Sequence, residues 1–515
     1  MPERLISAAL SMNENLAHRE SDAAAVQQWH AGGKSLFWAV FPSIMLPMFL
    51  AVADQTIVAT ALPAMASTLG EVERVSWVVV SYLIANTIAA PVYGRLGDSY
   101  GRRRMILTAL SIFIIGSLLC ALAPNIEILT ATRVLQGFGG GGLMTLSQAL
   151  VGETVPPRER GRYQGFLAGV SVASSTFGPV AGGYLTQAFG WRSIFLVNLP
   201  LGLIAVLLVL RLKMQPTDRR RTTFDGPGLV LFMMFVSPVI LALQQVQRMD
   251  TQSVPLAVGL ASFGAVALLA LIWQERHSSS PLIPPALFRE PSVWRSDGLA
   301  ACHGAALVSL ITFLPIYLRA VRGASPAQTG LLLLPLMFGI GIGSLVTGQL
   351  VTRTGRTAVF PSFGYIMATV CLLFLAFYVP RLTLGQLPWV FGGTAIFMGT
   401  VMGVVQVTVQ AVAGQRMLGT GAAMVQFSRS VGAAFGTAAV AAVLFSALAA
   451  TDRETAGLFG TLIDQGPDAI AALPPARQAL VQAEIGGAFR AAFMTVAAFT
   501  AIGAWLAWSM PLRRV

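Results

Sequence analysis

Long apolar stretches alternate along the chain with short polar turns that carry arginine. Fourteen stretches have a helical length, at residues 36–62, 75–94, 105–123, 128–152, 162–187, 191–212, 225–246, 254–274, 297–318, 326–351, 357–379, 386–409, 418–449 and 488–510. About 20 apolar residues at about 1.5 Å rise cross a hydrocarbon core about 30 Å thick. The pattern therefore predicts an all-α polytopic membrane protein. An even count places both termini on one side. With the N-terminus in the cytoplasm, the inside turns carry Arg95 and Arg102–Arg104, Arg158, Arg160, Arg162, Arg211, Lys213 and Arg219–Arg221. They also carry Arg276, Arg289, Arg295, Arg353, Arg356, Arg416, Arg513 and Arg514. The outside turns hold scattered cations such as Arg74, Arg248, Arg322 and Arg381. This asymmetry predicts both termini inside.

An internal repeat divides the chain. Gly94-Arg95-Leu96-Gly97-Asp98-Ser99-Tyr100-Gly101-Arg102 follows the second stretch, and Gly348-Gln349-Leu350-Val351-Thr352-Arg353-Thr354-Gly355-Arg356 follows the tenth. Gly, Leu, Gly and Arg recur at one spacing, with Thr352 in the place of Asp98. The expected organisation is a cytoplasmic tail at 1–35, a six-helix bundle at 36–212, and two inserted helices with a cytoplasmic linker at 213–296. A second six-helix bundle follows at 297–511, with a long extracytoplasmic loop at 450–487, and then a tail at 512–515. In that loop, Pro475 to Ile485 is expected as a short helix of its own. Two related bundles with a site between them suit alternating access.

Composition narrows the class. The 515 residues are 55% hydrophobic and 11% charged, against about 25% charged in soluble proteins. The net charge of +12 resides in turns and reads as topology, not as nucleic-acid binding. Glu3, Glu14, Glu20 and Asp22 precede any apolar core, which argues against a signal peptide. Cys120, Cys302 and Cys371 lie in apolar runs without disulfide or metal spacing, so no metal is expected. No phosphate-binding G-x-x-x-x-G-K-[ST] loop is present, and Lys occurs only at Lys34 and Lys213. The arginine bias fits a GC-rich bacterial genome.

The chemistry concentrates on a few polar residues. Asp54 stands inside the first apolar stretch, where a carboxylate costs about 2.5–3.5 kcal/mol on insertion scales. Such residues face a bundle interior or a wet cavity and mark ion or proton paths. A structural cap near Pro42 and Pro47 is the alternative. Arg133 lies in the fourth stretch, sharing a helical face with Gln136, Gly137 and Gly140. A change in the Asp54–Arg133 distance would switch proton affinity, although spacing alone does not bring them together. At the cytoplasmic turn, Gly94, Asp98, Gly101, Arg102 and Arg103 predict a gating clamp. Asp98 can accept from Arg102 or from a helix N-terminus, and the arginines can pair with acids on a neighbouring helix. Ser174, Gly178 and Gly182 form a small-residue ridge around the helix-bending Pro179. Asn86, Gln136, Asn198, His303 and Gln406 are candidates to line a substrate cavity. Arg429 is expected to make a conformational or packing contact.

These residues resemble the major facilitator superfamily, specifically its fourteen-helix drug:proton antiporters, often called EmrB/QacA-type. Asp54-Gln55-Thr56-Ile57-Val58-Ala59-Thr60-Ala61-Leu62-Pro63 is similar to the family's first-helix motif, whose acid is implicated in proton coupling. Gly94–Arg104 resembles motif A and Arg133–Gly137 resembles motif B. Gly178-Pro179-Val180-Ala181-Gly182-Gly183 resembles the antiporter motif C. Trp191–Gly202 is close to the sixth-helix signature, while the second half matches more loosely. The resemblance implies the major facilitator fold and proton-coupled efflux without a cofactor, the proton being the coupling ion. It also implies a bacterial inner-membrane location. Some members use a periplasmic adaptor and an outer-membrane channel, which the residues leave open.

One departure bears on substrate. Apart from Asp54 no acid lies well inside a span, and Glu153, Asp225 and Asp297 fall at cytoplasmic ends. Some related exporters use a second membrane acid for dicationic drugs. The expected substrates are therefore neutral or monocationic amphiphiles. Export of an endogenous metabolite, siderophore or lipid by the same machinery is the alternative. A scaffold or sensor fits poorly with Asp54 and motif C. An enzyme is not expected, since no nucleophile–base pair appears.

Overall fold

The computed structural model describes residues 41–70, 74–212, 224–248, 254–452, 455, 457–459 and 474–514. The expected tail at 1–35 and residues 460–473 of the expected outer loop lie outside them. The long helices are α1 (Phe41–Leu69), α2 (Trp77–Tyr100), α3 (Arg102–Leu122), α4 (Ile126–Thr154) and α5 (Arg160–Phe189). They continue with α6 (Ser193–Leu210), α7 (Gly226–Arg248), α8 (Val254–His277), α9 (Pro291–Ala320) and α10 (Pro326–Thr354). The last are α11 (Val359–Tyr378), α12 (Leu387–Ala413), α13 (Leu418–Thr451) and α14 (Pro475–Trp508).

Among the described residues, 12 helices are long and apolar enough to cross a membrane. The two long helices outside that set are α4 and α5, of 29 and 30 residues. Their length suffices, but their polarity is higher. Arg133, Gln136 and the run Gly139–Gly142 dilute α4, and Ser, Thr and Gly dilute α5. The composition has a structural reason: α4 carries the buried arginine and glutamine of the network described below, and the small residues of α5 let α1 come close.

Two boundaries differ from the sequence reading. The expected turn at 94–104 is almost wholly helical, because α2 runs on to Tyr100 and α3 begins at Arg102. Gly101 alone separates them, at φ 104°, a backbone conformation that side chains resist. The stretch from Pro475 to Ile485 is not a separate helix. It is the first part of α14, which therefore starts well before residue 488 and narrows the expected loop at 450–487.

Packing repeats between the halves. In the first, α2 packs on α4 and α3 on α6; in the second, α10 packs on α12 and α11 on α14. Across the interface α2 meets α13, and α10 meets α5. The inserted helices α7 and α8 pack on each other, and α7 also meets α2 and α13. Phe232, Val236 and Ile240 of α7 cluster with Ile88 of α2, and Phe427 of α13 packs against them. The insertion thus covers the seam between the halves.

Candidate functional site

Three consecutive residues of α1 face three directions. Asp54 points into the first bundle, where it and Arg133 are each 1% exposed. Arg133 Nη1 stands 2.5 Å from Asp54 Oδ2. Gln136 Nε2 and Asn198 Nδ2 donate to Asp54 Oδ1 at 2.8 and 2.9 Å. Gln136 Oε1 accepts from Arg133 Nη1 at 2.7 Å, and Gln136 also donates to Ser117 Oγ at 2.7 Å. Arg133 Nε donates to the Val78 carbonyl, and its guanidinium lies 4.1 Å from the Tyr82 ring centroid. Helices α4 and α6 thus donate to one carboxylate of α1, and α2 and α3 hold its partners. A buried charge is tolerable only when paired and hydrogen-bonded, and this one is both. Asn198 reaches it from a break in α6 at Val197, just before Pro200. Pro200 has no N–H to donate to the preceding turn.

Gln55 faces the other way. It lines a cavity of about 580 Å³ between the halves, together with Asn86, Met144, His303, Gln426 and Arg429. Ile240, Leu243 and Gln244 of the inserted α7 form part of its wall. Thr56 turns to α5, its hydroxyl donating to the Ala53 and Ser174 carbonyls. There a Cβ on Gly182 would fall 2.7 Å from the Ile57 carbonyl oxygen, and one on Gly178 would collide with Thr56. Only glycine allows this approach. Pro179 and Gly183, in contrast, are exposed, and a Cβ on Gly183 would meet nothing within 4 Å.

The arginine-rich end is closed by a pair of related clamps. Asp98 Oδ1 accepts from Arg102 Nη2 at 2.6 Å and from the Gly419 backbone N–H at 2.8 Å. Its Oδ2 accepts from the Thr420 N–H and hydroxyl at 2.8 and 2.9 Å. Asp98 thus binds the N-terminus of α13 in the opposite half, where carboxylates are favoured. Arg102 pairs also with Glu153 on α4. Arg103 takes a different role and donates to the Val209 and Leu210 carbonyls at the end of α6. Gly94 lies against the backbone at Gly419. In the second copy of the repeat, Thr352 Oγ1 accepts from the Arg162 N–H at the start of α5, and Gly348 lies against Gly161. Each half grips a helix start of the other by the same register position.

The same correspondence links Asp54 to a residue of the second half. Gly178 of α5 sits on Thr56 of α1, and Gly436 of α13 sits on Ala305 of α9. Two residues before Thr56 is Asp54; two before Ala305 is His303. His303 is buried, with Nδ1 2.9 Å from the Tyr365 hydroxyl.

The sequence reading singles out Asp54, Arg133 and the clamp, and the fold brings Asp54 and Arg133 together. Of the five candidates for the cavity, Asn86 and His303 line it. Gln136 and Asn198 do not, because both are consumed by Asp54. Gln406 is buried elsewhere, with neither side-chain atom bonded to protein. Arg429, expected to make a conformational or packing contact, bonds Gln426 of its own helix and lines the cavity. Glu153 supplies the expected acid on a neighbouring helix, whereas the sequence reading does not include Ser117, Tyr82 and Thr420. For Thr420 the signal is the first turn of α13, a helix start able to receive Asp98.

Comparison with known proteins agrees with this architecture. Residues 44–437 match the model of the Major Facilitator Superfamily. An uncharacterised MFS-type transporter of Mycobacterium tuberculosis is 35% identical over 439 residues, covering 84% of this chain and 62% of that protein. Multidrug resistance protein 3 of Bacillus subtilis is 30% identical over 345 residues, covering 67% of this chain and 65% of that protein. The chain thus aligns with less than two thirds of either relative's length. The solved structure of the proton:xylose symporter XylE is similar in fold, with a TM-score of 0.61 at 13% identity, covering 93% of this chain and 96% of that one.

Proposed function

Because this chain belongs to the Major Facilitator Superfamily, we propose that it exports an amphiphilic small molecule in exchange for protons by alternating access. The observation that supports this most is the three-way division of α1. Asp54 holds the ion pair, Gln55 touches the cavity and Thr56 touches the α5 ridge, so one helix links proton site, substrate and moving interface. Rotation of α1 over the Gly178–Gly182 ridge would part Asp54 from Arg133 and let the carboxylate take a proton. The arrangement described here, with both clamps engaged, is the state closed at the arginine-rich end.

In this reading α4 and α5 also cross the bilayer, giving fourteen spans, and the arginine-rich end is cytoplasmic in a bacterial inner membrane. Both termini then lie inside. A periplasmic adaptor with an outer-membrane channel would extend the route without altering the coupling site. No cofactor is needed, since protons supply the energy. A proton crossing about 100 mV carries about 2.3 kcal/mol, and one pH unit adds about 1.4 kcal/mol. At about 1.4 kcal/mol per decade, that supports a gradient of a few hundredfold for a neutral substrate. The lining named for the cavity contains no Asp or Glu, which agrees with the expectation that dications are not carried. Substrate-driven proton movement in proteoliposomes, lost on Asp54→Asn, is the test.

A further inference from the structure

The cavity contains a charged group that the proton-coupling scheme does not use. Arg429 lines the cavity from α13, and none of the lining residues is an acid. Among the described residues no carboxylate stands within ion-pair distance of its guanidinium. Its Nη2 donates to Gln426 Oε1, three residues earlier on the same helix. The Gln426 Nε2 amide has no acceptor among the described residues. His303 lines the same space, and its Nε2 has no partner among the described residues.

The first bundle shows what such a pair binds. There Arg133 donates to Gln136 Oε1, and Arg133 and Gln136 Nε2 together hold the Asp54 carboxylate. In the second bundle an arginine–glutamine pair three residues apart stands in the opposite order on α13, the counterpart of α5, so the likeness is one of chemistry and not of register. At the register position of Asp54 stands His303, which supplies no carboxylate. An arginine in a cleft of low dielectric is stabilised by an oppositely charged partner, and planar donors suit a carboxylate or sulfonate.

We propose that Arg429, Gln426 and His303 form a subsite for the anionic head of an amphiphilic substrate, with the apolar cavity wall taking its body. This rests on the transport reading above and sharpens it. The transported class is acidic amphiphiles, and the neutral or monocationic expectation gives way. With the Tyr365 hydroxyl donating to Nδ1, the His303 ring presents Nε2–H to the anion. Arg429 and Gln426 Nε2 supply the remaining donors.

The test uses three probes with one apolar body, namely 1-pyrenebutyrate, 1-pyrenebutanol and 1-pyrenebutyl-trimethylammonium. Their binding to the purified full-length protein is measured by fluorescence with no proton gradient. The expected result is at least tenfold tighter binding of the butyrate than of the butanol, with the ammonium weakest. Arg429→Gln should bring the butyrate-to-butanol ratio close to one, and Arg429→Lys should retain part of it. Circular dichroism and melting temperature confirm that each variant is folded. Equal binding of the three probes, preference for the ammonium, or a ratio unchanged in Arg429→Gln would overturn the subsite. Proton flux in the same preparation reports separately on antiport. Charge-selective binding without substrate-driven flux supports the subsite and removes antiport. Flux driven equally by all three probes overturns the subsite and keeps antiport.

Discussion

Asp98 of α2 binds the start of α13, accepting the Gly419 and Thr420 backbone N–H groups and the Thr420 hydroxyl, all within 2.9 Å. One carboxylate therefore joins the two halves at the closed end. Arg102 holds it in place and is itself paired with Glu153.

Asp98→Ala removes those contacts and leaves the α13 N–H groups without their anion. A helix-terminal carboxylate contributes about 0.3–1 kcal/mol, and up to about 2 kcal/mol when partly buried. A loss of about 1–2 kcal/mol changes a two-state ratio by about 5–30-fold. The expected outcome is a shift of that size toward the conformation open at the arginine-rich end. Spin labels placed across that end would report it as longer distances. Unchanged distances would show that the clamp does not set the equilibrium.

Gly94→Val should act in the same direction by sterics. A Cβ at residue 94 would lie 2.6 Å from the Gly419 carbonyl oxygen and 2.7 Å from Ala423 Cβ. The halves cannot then close at this end. Alkylation of cysteines introduced along the α2–α13 seam should accelerate in the variant. Wild-type alkylation rates would contradict the contact.

Gly182→Val and Gly183→Val form a matched pair on α5. The first inserts a side chain against Ile57 and Thr60, and the second points into open space. Exchange should be lost in the first and kept near the wild-type rate in the second. Equal rates would mean that the close approach of α1 and α5 has no part in the cycle.

The Asp54–Arg133 pair should also be visible as stability. Removing one partner of a buried ion pair costs about 3–5 kcal/mol, because the other charge remains buried. Asp54→Asn should therefore melt well below wild type in detergent, and Asp54→Asn with Arg133→Gln should recover part of the loss. A double variant less stable than the single one would show that the pair is not the source.

How far the residues foretold this site follows from what each constraint leaves behind in sequence. Asp54 and Arg133 stand out because a charge in an apolar run is costly. Asp98 and Thr352 stand out because the repeat fixes their register. Gln136 and Asn198 looked like cavity residues, since a polar side chain in a span says only that it faces away from lipid. Which interior it faces depends on helix rotation, and in α6 on the break before Pro200. The same ambiguity holds for Arg429, which lines the cavity. The shared register of Asp54 and His303 became legible only when Gly178 and Gly436 were seen resting on α1 and α9. The weakened hydropathy of α4 is the trace of the network it carries, and that of α5 is the trace of its small-residue contact with α1.

The most direct test of the account is proton movement in proteoliposomes loaded with a pH dye, with 1-pyrenebutyrate added against an imposed proton gradient. Wild type should show substrate-driven flux, and Asp54→Asn should show none while still binding the probe. Flux that persists in folded Asp54→Asn would contradict coupling through this carboxylate.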